Sequence, residues 1–185
     1  MPRPHRETGP HADRPAFQFL DITDVAATRT LRFTPSANLT SGSSQKALQA
    51  IRLVRSAFRQ GPKCTVTSDP GGIVIAWPEA TETEILQLCT VAEQRLARLQ
   101  QEPLTAKMVE EILSITAIER RRWSKDGRMP TSGRAFFSQG KKQVGLFVYS
   151  PETIRKLATR PDVIADWRRQ DVGNPAFHND SPPVR

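Results

Sequence analysis

The sequence has few cysteines, few histidines and no long apolar segment. Cys64 and Cys89 are the only cysteines among 185 residues and lack metal-ligand spacing, which favours two free thiols in a cytosolic protein. No run of about 18 apolar residues exists, so no transmembrane helix is expected. The three histidines are His5, His11 and His178, all near the chain ends, which argues against a histidine-based catalytic or metal site.

Both ends of the chain are predicted to be disordered. Residues 1–15 contain several prolines, show no apolar periodicity and lack the apolar core of a secretory signal. Residues 171–185 also read as a tail. The folded part is therefore expected within residues 16–170.

Positive charge is abundant and unevenly distributed. The formal net charge is +8, with a net of +2 in residues 1–102 and +6 in residues 103–185. Residues 119–160 hold 11 basic and 3 acidic side chains. This distribution favours a polyanion partner for the second half of the chain.

The first half of the chain predicts a small α+β domain over residues 16–102. Strands are expected at 17–22, 30–34, 64–67 and 73–77, the last two joined by the turn Asp69-Pro70-Gly71-Gly72. A helix is predicted over 45–59, with Leu48, Ile51, Val54 and Phe58 on one apolar side.

A second helix of this domain begins with a capping box, Thr81 followed by Glu84. Its apolar set is Ile85, Leu88, Cys89, Ala92, Leu96 and Leu99. Residues 100–103 are the expected boundary with a second domain. We expect the first domain to mediate self-association or to bind a partner.

Residues 105–125 predict two short helices joined by a tight turn. Thr105 is expected to cap the first helix, residues 114–116 form the break, and the second helix covers 117–125. Ile118 and Trp123 are expected to pack inward, and Gly127 to end the helix in a left-handed conformation.

A basic β-hairpin is predicted next, with strands at 134–138 and 143–149 and Lys141 and Lys142 in its turn. Ser150-Pro151-Glu152 then begins a third helix, with Ile154 and Leu157 inward. The expected fold class is therefore α+β, with a winged helix-turn-helix over residues 103–170.

The segment from Thr105 through Trp123, with the element Asp126-Gly127-Arg128-Met129-Pro130 and the later Phe147-Val148-Tyr149-Ser150-Pro151-Glu152, resembles the MerR and phage excisionase group of winged helix-turn-helix proteins. The resemblance covers about 55 of 185 residues, implies binding to duplex DNA and leaves the biological role open. The stretch 131–149 is longer than a minimal wing. The short end of the chain also lacks the dimerisation helix and effector domain of MerR regulators, which favours the excisionase-like or small-regulator branch.

The predicted DNA-contacting residues lie on the second helix, the hairpin and the third helix. They are Thr116, Glu119, Arg120, Arg121, Arg122, Ser124, Lys125, Arg128, Arg134, Lys141, Lys142, Arg155 and Lys156. Arginine suits this task because its planar fork bonds guanine O6 and N7 together and also holds phosphates. The run Arg120-Arg121-Arg122 is also typical of a solvated helix face. Lys141 and Lys142 are also typical of a hairpin turn that is exposed to solvent.

No enzyme, cofactor or metal site is predicted. Residues 69–72 lack the Gly-Lys-Ser/Thr of a phosphate loop. Glu110 and Glu111 are adjacent and cannot share one helix face. A metal-dependent nuclease would need more carboxylates than Asp21 and Asp24.

The sequence thus predicts a sequence-specific binder of double-stranded DNA, either a transcriptional regulator or an excisionase-like accessory factor of a bacterium or mobile element. Such a protein is expected in the cytoplasm with the nucleoid, with residues 16–102 as a candidate homodimer contact and no membrane partner. The alternative is an adaptor or inhibitor whose basic winged-helix face binds an acidic protein.

Overall fold

The computed structural model describes residues 17–25, 28–59, 61, 63–78, 81–139 and 142–173. The side chains of 23–25, 28, 137–139 and 142–144 are not part of this description. Across the described residues the fold is mixed α+β, with seven helices and two small antiparallel sheets, as predicted. The expected disorder of residues 1–15 lies outside the described ranges.

The first sheet contains four antiparallel strands in the order β1-β2-β4-β3. They are β1 (Asp21–Val25), β2 (Thr28–Phe33), β3 (Thr65–Asp69) and β4 (Gly72–Trp77). The predicted hairpin around Pro70 and Gly71 is confirmed, and Gly71 has the positive φ of +78° that such a tight turn favours in glycine. The prediction for the first strand was wrong in position, because β1 begins four residues later than expected.

Three helices pack on this sheet: α1 (Ala37–Thr40), α2 (Ser44–Phe58) and α3 (Glu82–Gln101). The capping box of Thr81 and Glu84 at α3 is confirmed. The apolar sides of α2 and α3 meet Leu31, Phe33 and Ile75 in one buried cluster.

The prediction that Leu48 faces this core was wrong, because its side chain is 55% exposed. The buried side of α2 instead includes Lys46 and Ala50. Leu48 lies two residues from each of them, which is about 200° around the helix and so on the opposite side.

The second sheet has the order β5-β7-β6, with every pairing antiparallel. Its strands are β5 (Leu104–Thr105), β6 (Gly133–Gln139) and β7 (Lys142–Tyr149). The accompanying helices are α4 (Ala106–Leu113), α5 (Ala117–Lys125), α6 (Pro151–Ala158) and α7 (Pro161–Gly173). Trp123, Tyr149 and Ile154 lie at the centre of this second cluster, each with no exposed surface.

Helix α7 corrects the predicted tail. It extends to Gly173, and Asp171 within it is buried. The pattern Val163, Ile164 and Trp167 gives α7 an apolar side, which packs on the second cluster through Ile164 and Trp167. The remaining tail residues, 174–185, lie outside the described ranges.

The two buried clusters divide between Leu99 and Leu104, and polar contacts join the elements on either side. The Glu111 carboxylate of α4 accepts hydrogen bonds from the Ser43 hydroxyl at 3.0 Å and from the Ser44 N–H at 2.9 Å, at the N-terminus of α2. Arg155 of α6 donates to the Asn38 side chain at 3.0 Å. The helix-turn-helix is thus tied to α1 and α2.

Lys46 completes this junction from inside. Its side chain is fully buried, and its ammonium donates to the carbonyl oxygens of Gln100 and Glu102, each at 3.2 Å. Burial lowers the pKa of Lys46 to about 8, with the nearby Glu102 opposing the shift and Arg155 adding to it.

Candidate nucleic-acid interface

Helices α4 and α5 form a helix-turn-helix whose ends are set by local side-chain caps. The Thr105 hydroxyl accepts from the Met108 N–H at the start of α4. Ser114 ends α4 with a positive φ of 51°. Thr116 and Glu119 form a reciprocal capping box at the start of α5. The predicted bounds of α5 are confirmed at both ends.

The inner side of α5 is held by Trp123 and Arg120. Trp123 is fully buried and lies edge-on to Trp167 of α7, with 5.0 Å between ring centroids. Arg120 donates to Glu110 of α4 at 2.7 Å and to the Tyr149 hydroxyl at 2.8 Å. The same hydroxyl lies 3.0 Å from the Ser124 hydroxyl.

The prediction that Arg120 faces solvent or DNA was therefore wrong. Its side chain is 11% exposed, because three residues separate it from Trp123, which places both on the same side of the helix. Burial disfavours its charge, but the bonds to Glu110 and Tyr149 outweigh this and raise the pKa of Arg120. The side chains of Arg120 and Ser124 therefore hold α5 in position through internal contacts and do not face a ligand.

Asp171 forms a second anchor beneath the helix-turn-helix. Its carboxylate accepts from the Arg122 guanidinium at 2.9 Å, the Trp123 indole N–H at 3.0 Å and the Arg128 guanidinium at 2.6 Å. Burial alone would raise the pKa of Asp171, but these donors lower it overall. Arg122 and Arg128 thus attach α5 and the following loop to α7.

The outer side of α5 carries Ile118, Arg121 and Lys125, spaced three and four residues apart, and all three are exposed. The prediction that Ile118 packs inward with Trp123 was wrong, because Ile118 is 64% exposed. Five residues separate the two, which is about 140° around a helix. We call these three residues the α5 outer face.

Two further predicted contact residues serve the N-terminus of α5. Thr116 is its cap, and Glu119 both closes the capping box and accepts from Arg168 of α7 at 2.7 Å. Burial opposes the ionised form of Glu119, but these donors lower its pKa overall. A fixed carboxylate here repels phosphate, so Glu119 fits a structural role.

The hairpin of β6 and β7 adds a surface that is both basic and apolar. Arg134 pairs with Phe147 across the strands, and its guanidinium lies 4.7 Å from the centroid of that ring. Phe136, Leu146 and Phe147 are 62%, 48% and 44% exposed. No acidic residue occurs from 127 to 151.

Gly145 leaves room for the Phe136 ring, because a Cβ there would lie 3.0 Å from that ring across the strands. The side chains of the predicted turn residues Lys141 and Lys142 lie outside the description. On α6, Arg155 belongs to the junction with Asn38, whereas Lys156 is 75% exposed and paired with Glu152 at 2.6 Å.

The predicted residues therefore separate into two groups. Arg121, Lys125 and Arg134 are exposed, the first two on α5 and the third on the hairpin, whereas Arg120, Arg122, Arg128 and Arg155 mainly make internal contacts. Sequence reasoning missed the exposure of Ile118 and the role of Asp171. A strict 100° helical projection of 117–125 would have placed Ile118 outside, but no local signal marks Asp171.

Comparison with protein-family models, with curated proteins and with solved structures found no match to this chain. Within the described ranges, no group of three or more histidine, cysteine or acidic side chains is arranged to hold a metal ion. No helix in those ranges combines the length and apolar character needed to cross a bilayer. The function is therefore argued from the geometry above.

Proposed function

We propose that this protein binds double-stranded DNA in a sequence-specific manner, with α5 as its recognition helix. The observation that carries the proposal is the α5 outer face. Helix α5 is anchored on its inner side by Trp123 and Arg120, and its other side presents Ile118, Arg121 and Lys125 to solvent. A short helix held in this way, after a tight turn, fits the major groove of B-DNA.

Each member of this face suits a groove contact. The Arg121 Nε donates within its own helix to the Ala117 carbonyl at 3.1 Å, which directs the rest of the guanidinium along the exposed side. A guanidinium there reads guanine O6 and N7, and an exposed isoleucine side chain packs against a thymine methyl group. Arg134, which is exposed on the hairpin, would hold phosphate in this proposal.

Under this proposal the protein is a transcriptional regulator or an excisionase-like accessory factor that acts in the cytoplasm on the DNA of the nucleoid.

Self-association through residues 16–102 stays a prediction. The apolar sides of α2 and α3 are largely used in the internal cluster, with Leu48 and Val91 left exposed. An inverted repeat in the selected DNA would support a dimer, because paired half-sites mirror a two-fold protein.

The Arg121→Ala variant tests the proposal. Duplexes selected by the wild-type protein from a random pool are compared with a scrambled duplex by fluorescence anisotropy. We expect R121A to lose about 1–3 kcal/mol on the selected duplex, because one base-reading contact is removed, and much less on the scrambled duplex.

Arg169→Ala is the matched control, because Arg169 is also exposed but lies on α7, where it pairs with Asp166. If R121A and R169A bind the selected duplex equally well, α5 is not the recognition helix. If the wild-type protein selects no duplex at all, DNA binding itself is wrong.

A second candidate is a protein-interaction adaptor or inhibitor. The observation that favours it is the exposed pair Phe136 and Phe147, which share one side of a hairpin without acidic residues. Exposed aromatic side chains with arginine are typical of protein interfaces. Retained duplex binding in R121A together with loss of an acidic protein partner would favour this function.

A further inference from the structure

Helix α2 carries a row of arginines that the site above does not use. Arg52, Arg55 and Arg59 are spaced three and four residues apart, and all three are exposed. Arg59 follows the last residue of α2 and keeps helical dihedral angles, with φ −62° and ψ −28°. The three side chains therefore leave one side of the helix, over about 10 Å of its length.

Helix α3 adds a fourth arginine to this row. Arg95 donates from its guanidinium to the Ser56 hydroxyl at 3.4 Å, and both residues are exposed. This contact brings a cation of α3 against the same side of α2. We call Arg52, Arg55, Arg59 and Arg95 the α2 basic row.

The charge of the α2 basic row is not neutralised by its surroundings. Residues 25–68 contain seven basic residues and no acidic residue. Within the described part of the chain, Arg52, Arg55 and Arg59 have no ion-pair partner. Several arginines elsewhere do have ion-pair partners: Arg29 with Glu82, Arg32 with Asp69, Arg160 with Asp162, Arg168 with Glu119 and Arg169 with Asp166. Among the described residues, the exposed Arg98, Arg121 and Arg134 also lack an ion pair.

What distinguishes the α2 basic row is the closeness of its like charges on one side of a helix. Three like charges within about 10 Å repel one another, and a helix gains nothing from that arrangement unless an anion offsets it. The acidic residues of the first half lie near the chain start and at positions 69–102. They reduce the net charge of residues 1–102 to +2, although they are distant in sequence from the α2 basic row.

We propose that the α2 basic row is a second DNA-contacting surface, which holds the phosphate backbone without reading sequence. The choice of DNA as occupant rests on the proposed function, and charge complementarity supports it. Duplex DNA offers one negative charge per about 1.7 Å of axis, so a row of arginines at intervals of about 5 Å meets phosphates along its whole length.

Hydrogen bonds between α4 and the start of α2 connect the helix-turn-helix to the helix that carries the α2 basic row. The Ser44 N–H at the N-terminus of α2 donates to the Glu111 carboxylate of α4, and the row begins eight residues further along, about 12 Å from that contact. A protein holding DNA at α5 therefore carries the row on an element attached to the helix-turn-helix.

The test uses the Arg52→Gln/Arg55→Gln variant of the full chain and the salt dependence of duplex binding. Each lost phosphate contact lowers the slope of log K against log salt by about 0.9, so we expect a slope smaller by about 2 on selected and scrambled duplexes alike. Glutamine has a helix propensity close to that of arginine, so α2 is retained, as circular dichroism checks.

Arg160→Gln/Arg169→Gln is the matched control, since it removes the same charge from exposed positions on another part of the surface. If R52Q/R55Q has the same slope as this control while R121A loses sequence preference, the second surface is wrong and the recognition helix stands. If R52Q/R55Q lowers the slope while R121A leaves the sequence preference unchanged, the α2 basic row contacts DNA but α5 is not the recognition helix.

Two further outcomes overturn the inference. Absence of duplex binding by the wild-type protein rejects both DNA proposals. The second outcome is that the wild-type protein binds vesicles of phosphatidylcholine and phosphatidylserine, and that R52Q/R55Q loses this binding but keeps its duplex binding unchanged. That result would assign the α2 basic row to an anionic membrane surface.

Discussion

At the scale of single residues, the Asp171 carboxylate is expected to contribute strongly to stability. Its carboxylate is 9% exposed and holds two guanidinium groups and an indole N–H. We expect Asp171→Asn to lower the free energy of unfolding by about 3 kcal/mol, because Arg122 and Arg128 lose their common partner in a half-buried site. Urea denaturation followed by tryptophan fluorescence measures this change.

The pH dependence of the same comparison gives a second check. The folded-state pKa of Asp171 is lowered, so its stabilisation is fully present above the unfolded-state value of about 4 and is lost as pH falls through the folded-state value. The advantage of the wild-type protein over D171N should therefore be constant near pH 7 and shrink toward pH 3. An advantage that grows at low pH would contradict the role given to this carboxylate.

Single residues also show where sequence reasoning stops. Arg120, Arg121 and Arg122 are alike in the sequence, but the fold gives them different roles. Arg120 meets Glu110 and Tyr149, and Arg122 meets Asp171, which is 49 residues away along the chain. Such partners are set by tertiary packing, so the pattern of residues 119–122 cannot reveal them.

At the scale of elements, Gly127 decides how the chain leaves α5. Its φ is +84°, and the following turn lets the Met129 N–H donate to the Trp123 carbonyl at 2.8 Å. We expect Gly127→Ala to cost about 1–2 kcal/mol, because a Cβ disfavours the left-handed conformation. Equilibrium unfolding in urea measures the loss.

Gly173→Ala is the matched control for that variant. A Cβ at either glycine would meet no atom within 4 Å, but only Gly127 has a positive φ. The two variants thus differ in backbone conformation and not in crowding. Equal stability of G127A and G173A would show that the left-handed turn is not maintained in solution.

Elements with strong local signals were predictable. The capping box at Thr81, the cap at Thr116 and the Ser150-Pro151 start of α6 each describe one helix end within four residues. Helix α1 has four residues, too few for periodicity, and β5 has two residues that count as a strand only through their pairing with Val148 and Tyr149. Both depend on contacts distant in sequence and were missed.

At the scale of the whole molecule, Lys46 couples the junction to pH. Burial lowers its folded-state pKa to about 8, against 10.5 for the ordinary group. Between these values the unfolded chain holds the proton more tightly, so stability rises with pH. Relative to Lys46→Met, which cannot titrate, the wild-type protein should gain up to about 3 kcal/mol between pH 8 and pH 10.5.

Parallel urea titrations of the two proteins across this pH range measure the difference. Below pH 8 it should be constant, because Lys46 is then protonated in both states. A flat difference up to pH 10.5 would mean that burial does not lower the pKa of Lys46 in the folded protein.

The bond between Glu111 and the start of α2 has a consequence for anyone who transplants the helix-turn-helix. A graft of residues 104–173 onto another scaffold would carry a carboxylate whose two donors, Ser43 and Ser44, stay behind. The remaining half would likewise lose an acceptor for the exposed N–H groups of α2. Exchange of this module between proteins therefore requires the recipient to offer a serine-capped helix start, or Glu111 to be replaced along with its neighbours.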